Sequence, residues 1–240
     1  MKYFEFTHPT PEYNLAVDEA LLDIVEDGVP EEVLRIWTPI SYFIVVGYSN
    51  FISVEVEQKA CISMGIPIFR RCSGGGAVLQ GPGCLNYSLI LQMGNRPEVA
   101  TISDANCFIM NKIKNAFSTI SGQTVGIQGI TDLSIDGFKI SGNAQRRKRN
   151  SILFHGCFLL NMDLSLISKV LKTPSKQPAY RANRSHEHFV QNCHLDGENL
   201  KLALRTEWNA WDSLQDIPDS RITQLVHEKY SQTAWNRKFV

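Results

Sequence analysis

Between residues 124 and 160 the chain carries β-type segments separated by very short turns. The segments TVGIQG, TDLSID and FKISGNAQ follow one another, and Asp136-Gly137 between the last two is a strong signal for a two-residue hairpin. The basic run RRKRN then turns the chain into SILFHGCFLL. Strands joined by such short turns pair antiparallel. This part of the sequence therefore predicts an antiparallel sheet.

Helical patterns surround these strands. After Pro11, NLAVDEALLDIVEDG has apolar residues on one stripe of a helix that Gly28 ends. EVLRIWTPISYFIVVGY predicts two strands about a Thr-Pro turn, SDANCFIMNKIKNAF predicts a helix capped by Ser103, and the C-terminal third has mostly helical patterns. Hairpins mixed with helices predict an α+β fold, with a mixed, mainly antiparallel sheet flanked by helices. Because no linker or repeat interrupts the pattern, we expect residues 1–240 to form a single domain.

Composition restricts the classes of partner and compartment. Lys and Arg together number 24, as do Asp and Glu, so the overall charge gives no argument for nucleic acid or a membrane as partner. The six cysteines include no CxxC pair and are expected to be free thiols. The opening residues lack the apolar core of a signal peptide. The sequence predicts a cytoplasmic protein.

The segment FRRCSGGGAVLQGPG places consecutive glycines, Gly74–Gly76, after two arginines. Glycine lets the backbone take positive φ and approach a ligand closely, and successive N–H groups in such a loop can bind an anion. Arg70 and Arg71 add positive charge suited to phosphate or carboxylate. The alternative is a flexible surface turn, which would not require this composition. The pattern is neither a P-loop nor a dinucleotide-binding fingerprint, so it predicts an anionic ligand without identifying it.

Lys139 is the second candidate for binding an anion. A lysine fixed on a sheet face can bind a carboxylate or phosphate. The alternative is a solvated lysine on an edge strand, which would show the same pattern in the sequence. If the following hairpin turns near Lys148, Lys139 and Ser141 lie across from Cys157 and His155, but a register slip of one residue reverses this relation. His155 alone is more typical of a hydrogen-bonded core histidine. The basic turn is typical of a solvated hairpin tip, with an acidic partner surface as the alternative.

Together, RRCSGGGAVLQGPGCLNYSLIL and TDLSIDGFKISGNAQRRKRNSILFHGCFLL resemble the lipoate–protein ligase A family, within the biotin/lipoate ligase and octanoyltransferase superfamily. Weaker similarity, including VVGYSN, extends from about Asn14 to Trp235. The resemblance implies the catalytic fold of that superfamily and a two-step ligation. Lipoate and ATP give lipoyl-AMP and pyrophosphate, and the lipoyl group then moves to a lysine of a lipoyl domain, in E2 subunits of 2-oxoacid dehydrogenases or in the glycine-cleavage H protein.

The resemblance also implies roles for individual residues. Lys139 would be the catalytic residue, stabilising charge at the acyl-adenylate. Asp132 would help to hold magnesium, and the strand Ile44–Val46 with Val78 would line a tunnel for the acyl chain. The residues expected to bind substrate or nucleotide are Arg70, Ser73, Gly74, Gly75, Gly76, Ala77, Asn86, Asp132, Ser141, Gly142 and His155.

Two alternatives remain open. An octanoyltransferase takes its acyl group from a carrier protein and needs a nucleophilic cysteine, but SKVLKTPSKQ and SGQTVGIQGITD lack one where the known transferase classes carry it. A displaced nucleophile among Cys72, Cys84 and Cys157 is not excluded. A non-catalytic member would bind a lipoyl domain or an acyl ligand and should lack Lys139. Because the chain ends near TAWNRKFV, we expect no C-terminal accessory domain. A separate small subunit would supply it, or the chain would perform transfer alone, or it would use pre-activated acyl groups.

Overall fold

A computed structural model describes residues 1–94, 96–174 and 176–240. The strands are β1 (Lys2–Glu5), β2 (Val33–Trp37), β3 (Phe43–Val46), β4 (Ile68–Arg70), β5 (Val78–Gln80), β6 (Cys84–Gln92), β7 (Val125–Gln128), β8 (Asp132–Ile135), β9 (Phe138–Arg147), β10 (Ser151–Leu159) and β11 (Asp212–Ser213). The helices are α1 (Pro11–Glu26), α2 (Ile52–Glu55), α3 (Gln58–Ser63), α4 (Ile102–Ser121), α5 (Ser165–Val170), α6 (Gly197–Glu207), α7 (Asp219–Leu225) and α8 (Thr233–Asn236), with short 3₁₀ turns at Pro97–Val99 and Ala179–Arg181 and a π-helical turn at Val226–Tyr230.

The strands form two sheets. The larger has eight strands in the order β11-β1-β2-β6-β10-β9-β8-β7, and the smaller has three in the order β4-β3-β5. In the larger sheet β1 pairs in parallel with β11 and β2, and every other neighbouring pair is antiparallel. The Asp136-Gly137 hairpin joins β8 to β9, with φ of 51° and 78° at the two residues. The predicted α+β fold with a mixed, mainly antiparallel sheet is confirmed.

Both faces of the larger sheet are covered, so its central strands are buried along their length. On one face, α4 and α6 pack against alternate residues of β6 such as Leu85, Tyr87 and Leu89. On the other face, α1 and α7 pack against Ile90 of β6 and Leu153 of β10. Since side chains alternate between the faces of a strand, the polar residues of β6 between the leucines lie on the α1 side.

The smaller sheet has its own core. Ile44 and Val46 of β3 pack with residues of α2, α3 and α5, whereas Val45 between them faces the α1 side of the larger sheet. The two sheets therefore approach each other on the α1 side, and the space between them is available for a site. No helix within the described residues has the length and apolarity needed to cross a membrane.

Two local expectations need correction. The N-cap of α4 is Thr101, whose hydroxyl accepts from the Asp104 backbone N–H at 3.1 Å, and Ser103 lies inside the helix. The C-terminal third is less helical than expected, because residues 176–196 contain a single 3₁₀ turn and otherwise irregular backbone. This segment has no apolar periodicity, and its position is fixed by contacts with distant strands, chiefly β8 and β9.

Arg70 fastens the C-terminal residues to the small sheet. Its side chain is fully buried, and its Nη1 donates to the Gly47 and Asn50 carbonyl oxygens at 2.8 and 2.9 Å. Its Nε and Nη2 donate to the Trp235 and Phe239 carbonyl oxygens at 3.3 and 3.2 Å. One guanidinium therefore satisfies backbone acceptors from two separate segments of the chain.

Replacing Arg70 with alanine should lower the free energy of unfolding by about 3 kcal/mol, because several buried acceptors would lose their donor at once. Urea unfolding monitored by tryptophan fluorescence measures this change. Arg149→Ala is the matched control, since its side chain is at the exposed end of the β9–β10 turn. Equal stability of the two variants would contradict the role given to Arg70.

Candidate active site

A cleft of about 270 Å³ lies between the two sheets. Trp37, Val45 and Val78 contribute to its apolar wall, while the glycine loop after β4 and the segment 176–190 form other parts of its lining. Of the residues expected to form an acyl tunnel, Val45 and Val78 line the cleft, and Ile44 and Val46 point into the core of the smaller sheet. An apolar wall next to a few polar groups is typical of a small-molecule site.

Arg71 sets the shape of the glycine loop. Its Nη2 donates to the Gly74 and Gly76 carbonyl oxygens at 2.6 and 2.9 Å, and its Nε donates to Ser73 Oγ at 3.0 Å. Burial lowers the pKa of Arg71 to about 10, so the guanidinium remains charged at neutral pH. Gly75 has φ of +88°, and a Cβ there would lie 2.8 Å from Arg71 Nη2. The loop therefore wraps around a buried cation.

The prediction that Arg70 binds phosphate is wrong in its placement. Arg70 does not line the cleft, and all of its guanidinium nitrogens bond to backbone carbonyl oxygens on the opposite side of β4. Of these two neighbouring arginines, Arg71 is the one that lines the cleft. Successive residues of a strand face opposite sides, so only Arg71 of the two faces the cleft.

Gly47 is a residue of the site that the sequence did not identify. A Cβ at this position would lie 2.0 Å from the Gly75 carbonyl oxygen, so only glycine allows the turn after β3 to contact the glycine loop. The Tyr48 N–H also donates to the Ser73 carbonyl oxygen at 2.8 Å. The only signal in the sequence was the weak family resemblance of VVGYSN. That resemblance does not reveal that the two glycine-containing turns are in contact.

His155 connects the glycine loop to the core. Its Nε2 lies 2.6 Å from Ser73 Oγ, and its Nδ1 lies 3.0 Å from Asp18 Oδ2. Asp18 is buried and also bonds to Arg35 Nη1 at 2.6 Å. Burial opposes ionisation of Asp18, but Arg35, His155 and Ser88 together hold its pKa below the usual range. Ser73 is fully buried, so this chain of contacts positions the loop and does not present a free hydroxyl.

Lys139 reaches the cleft from β9, although the predicted register of the hairpin is wrong by three residues. Cys157 and His155 pair with Gly142 and Ala144, while Ser141 pairs with Phe158. A β-bulge between β8 and β9, where Leu133 pairs with Ser141 and Ser134 with Lys139, adds a residue to β9. The bulge shifts the alternation, so that Lys139 lies beside Gly142 on the side of the cleft.

Asp132 holds the Lys139 ammonium in place. Its Oδ1 lies 2.7 Å from Lys139 Nζ, and its Oδ2 accepts from the Tyr180 hydroxyl at 2.8 Å. Asp132 does not itself line the cleft. Both carboxylate oxygens are thus engaged, and no group of three or more His, Cys, Asp or Glu in the described ranges could hold a metal ion. The magnesium role of Asp132 stays a prediction.

The cleft is positively charged. Its described lining residues include four arginines and lysines: Arg71, Lys139, Lys176 and Arg181. Asp18 is the one acidic side chain among them, and it is paired with Arg35. Charges inside a partly desolvated cleft act more strongly than charges in water. The cleft is therefore suited to an anionic ligand that also has an apolar part.

Most of the predicted site residues come together. Those that line the cleft are Gly75, Gly76, Ala77, Asn86, Lys139, Ser141, Gly142 and His155. Ser73, Gly74 and Asp132 lie directly behind this lining and contact His155, Arg71 and Lys139 respectively. The Asn86 amide nitrogen donates to Gln80 Oε1 at 2.9 Å on the cleft wall. Gln80, Trp37 and Arg181 line the cleft without having been predicted.

Comparison with known proteins decides the family. Residues 10–194 match the model of the lipoyl protein ligase A/B catalytic domain. The chain belongs to this family. Its relatives are lipoate–protein ligases and octanoyltransferases, and this protein is an enzyme of that kind.

Relatives from both branches match most of the chain. Lipoate–protein ligase 1 of Staphylococcus aureus is 29% identical over 261 residues, which cover 98% of this chain and 73% of the relative. Octanoyltransferase LipM of Halalkalibacterium halodurans is 23% identical over 263 residues, covering 94% of each chain. A chain from the structural analysis of a bi-partite lipoate protein ligase and its E2 lipoyl domain from Thermoplasma acidophilum superposes with a TM-score of 0.84 at 23% identity, covering 100% of this chain and 96% of that one.

The glycine loop gives a direct test of its packing. Gly75→Ala should lower the free energy of unfolding by about 2 kcal/mol, because alanine is strained at positive φ and its Cβ would contact the Arg71 guanidinium. Gly74→Ala should change it by less than about 0.5 kcal/mol, since a Cβ there would have no atom of the described residues within 4 Å other than those of its chain neighbours. Urea unfolding of both variants compares them. Equal losses would show that the loop is not organised around Arg71.

Proposed function

We propose that the protein is a lipoate–protein ligase that activates lipoate with ATP and transfers the lipoyl group to a lysine of a lipoyl domain. The observation that carries the proposal is the Lys139 ammonium, held by Asp132 beside the glycine loop in a cleft with an apolar wall. Lipoate has a carboxylate at one end and an apolar chain, and an acyl-adenylate adds a phosphate. Both parts of such a ligand have a complementary surface in this cleft.

The residues of the cleft would have separate roles in the reaction. The apolar wall, including Val45 and Val78, would bind the acyl chain and exclude water from it. Lys139 would offset the negative charge that develops on the acyl-phosphate as the acceptor amine attacks, and Asp132 would keep the ammonium in position before the reaction. The glycine loop would lie against the acyl carbonyl and phosphate, with its shape fixed by Arg71 and by the Ser73–His155 contact.

The state of the cysteines favours the ligase over a transferase. Cys157 lines the cleft, but its hydrogen bond to Cys84 and its burial raise the pKa of the thiol well above its usual value. Burial also raises the pKa of the Cys72 thiol, to about 12. A nucleophilic cysteine requires the opposite change, since the thiolate is the reactive form. The hydrogen bond with Cys157 does lower the pKa of Cys84, but Cys84 is buried behind the cleft and does not line it.

An octanoyltransferase remains the second candidate function. It is favoured by the LipM relative, which matches 94% of this chain, and by the presence of Cys157 in the cleft. Acyl transfer through this route would require Cys157 to ionise in a setting that disfavours its thiolate.

Several finer points are part of the proposal. E2 lipoyl domains are the proposed acceptors, supported by the Thermoplasma acidophilum comparison, and the H protein is a further one. The same comparison supports a separate accessory subunit, because that ligase is bi-partite. Magnesium would accompany the phosphates of ATP, a binding mode usual for this ion. The cytoplasmic location and the single-domain organisation stay predictions from the sequence.

The two candidate functions require different acyl donors. Purified protein and an apo lipoyl domain are incubated with lipoate and Mg-ATP in one reaction and with octanoyl carrier protein in another, and the mass of the domain is followed. We expect modification in the first reaction alone, with no acyl-enzyme thioester in the second. Modification from the carrier protein alone, with a trapped thioester on Cys157, would refute the ligase. If neither donor works, transfer from synthetic lipoyl-AMP would place the deficit in activation.

Removing the Lys139 ammonium should reduce the rate of lipoyl transfer by a factor of about 10²–10³, the usual cost of losing one preorganised electrostatic contact. The rate of transfer from lipoyl-AMP is measured for Lys139→Ala and for Lys169→Ala, whose side chain is exposed on α5. Circular dichroism checks that both variants are folded. Wild-type turnover by folded Lys139→Ala would remove Lys139 from the site.

A further inference from the structure

Arg181 is a buried arginine on the wall of the cleft that has an unused donor. Arg181 is 3% exposed, and its Nη2 has no hydrogen-bond partner among the residues that the structure describes. Its Nε donates to the Arg184 carbonyl oxygen at 3.0 Å. Buried polar groups in native proteins are nearly always hydrogen-bonded, so an unpaired guanidinium nitrogen beside a cleft indicates a ligand.

The position of Arg181 is fixed. Its guanidinium lies over the Phe189 ring, 4.6 Å from the ring centroid. The neighbouring Arg184 donates to the Tyr180 and Gly137 carbonyl oxygens, both at 2.9 Å, which ties this turn to the β8–β9 hairpin. Arg181 is therefore a preorganised donor and not a mobile surface side chain.

The same segment is joined to the strand that carries Lys139. The Lys139 N–H donates to the Phe189 carbonyl oxygen at 2.8 Å, and the Gln191 N–H donates to the Lys139 carbonyl oxygen at 3.0 Å. Tyr180 adds its hydrogen bond to Asp132. Arg181 and Lys139 thus belong to one connected wall, and a ligand that contacts Lys139 lies next to the segment that carries Arg181.

A second unpaired polar group lines the same cleft. Ser141 is 1% exposed, and its Oγ has no partner within the described part of the chain. The nearby carboxylate of Asp132 already bonds to Lys139 and Tyr180, and no acidic side chain among the described residues lies within 4 Å of the Arg181 guanidinium nitrogens. An unpaired guanidinium nitrogen and an unpaired hydroxyl are complementary to an oxyanion with several acceptor oxygens.

We infer that Arg181 and Ser141 form a subsite for a phosphoryl group of the acyl donor. A guanidinium fork matches phosphate oxygens, whereas the neutral amide bond of the final product offers no negative charge to it. The identification of this group as a nucleotide phosphate rests on the proposed function. The phosphoryl chemistry does not, because the phosphopantetheine arm of a carrier protein contains a phosphodiester.

The test is calorimetric titration of wild type, Arg181→Gln and Arg149→Gln with ATP, adenosine and lipoate. Loss of charge-assisted hydrogen bonds should weaken ATP binding by Arg181→Gln about 10- to 100-fold, with less than about twofold change for adenosine and lipoate. Arg149→Gln should bind all three like the wild type. Unchanged ATP affinity in Arg181→Gln would overturn the inference, and so would an equal loss of lipoate affinity, which would indicate a carboxylate subsite.

Further measurements distinguish failure of this inference from failure of the proposed function. If the wild type binds no ATP but accepts octanoyl carrier protein, the ligase proposal fails, and an increase of about tenfold in KM for the carrier protein in Arg181→Gln still supports the subsite. A wild type that uses neither phosphate-containing donor overturns the inference. If Arg181→Gln does not fold, Arg181→Lys and Ser141→Ala replace it, and wild-type ATP affinity in both would refute the subsite.

Discussion

The buried Asp18 carboxylate is the interaction on which the rest of the structure depends. From α1 it contacts three strands of the larger sheet, through Arg35 Nη1 at 2.6 Å, Ser88 Oγ at 2.8 Å and His155 Nδ1 at 3.0 Å. A buried ion that loses its partner costs several kcal/mol, so these contacts fix the position of α1 on the sheet. His155 extends the same network to Ser73 in the glycine loop. The core and the site therefore share one charged group.

The cations of the cleft, like Asp18, are held in place by hydrogen bonds within the protein. Arg71 is surrounded by carbonyl oxygens of the glycine loop, and Lys139 is held by Asp132, so both cations are positioned by the protein before any ligand binds. Preorganised charge in a partly desolvated cleft is an effective means of stabilising developing negative charge. At Cys157, the hydrogen bond to Cys84 and desolvation raise the pKa of the thiol and disfavour its thiolate. The same cleft thus favours a bound anion and disfavours a Cys157 thiolate, in line with the proposed adenylate route.

Local signals in the sequence predicted much of the fold. The Asp136-Gly137 hairpin, helix α1 and the strand β6 each follow from a short pattern that the structure retains. The register of β9 and β10 did not follow, because the turn is centred between Arg149 and Asn150 and not at Lys148, so residues of β10 pair three positions further along β9 than expected. The segment that carries Arg181 also lacks a pattern, since contacts with β8 and β9 determine its conformation.

The site was predictable in its residue types and less so in its geometry. The glycines, Lys139 and His155 were found from their local motifs, and they do surround one cleft. The assignment of Arg70 in place of Arg71 failed because the sequence does not state which face of β4 the ligand occupies. Gly47 and Asp18 escaped notice for a related reason: their contacts with Gly75 and His155 join residues far apart in the chain.

The most direct test of this account is a crystal structure of the protein bound to a non-hydrolysable lipoyl-adenylate analogue that retains a phosphorus-based linkage. We predict that the acyl chain lies between Trp37, Val45 and Val78, and that a phosphoryl oxygen lies within hydrogen-bonding distance of Lys139 Nζ. An analogue bound outside this cleft, or with its phosphoryl group against Arg70, would contradict the account.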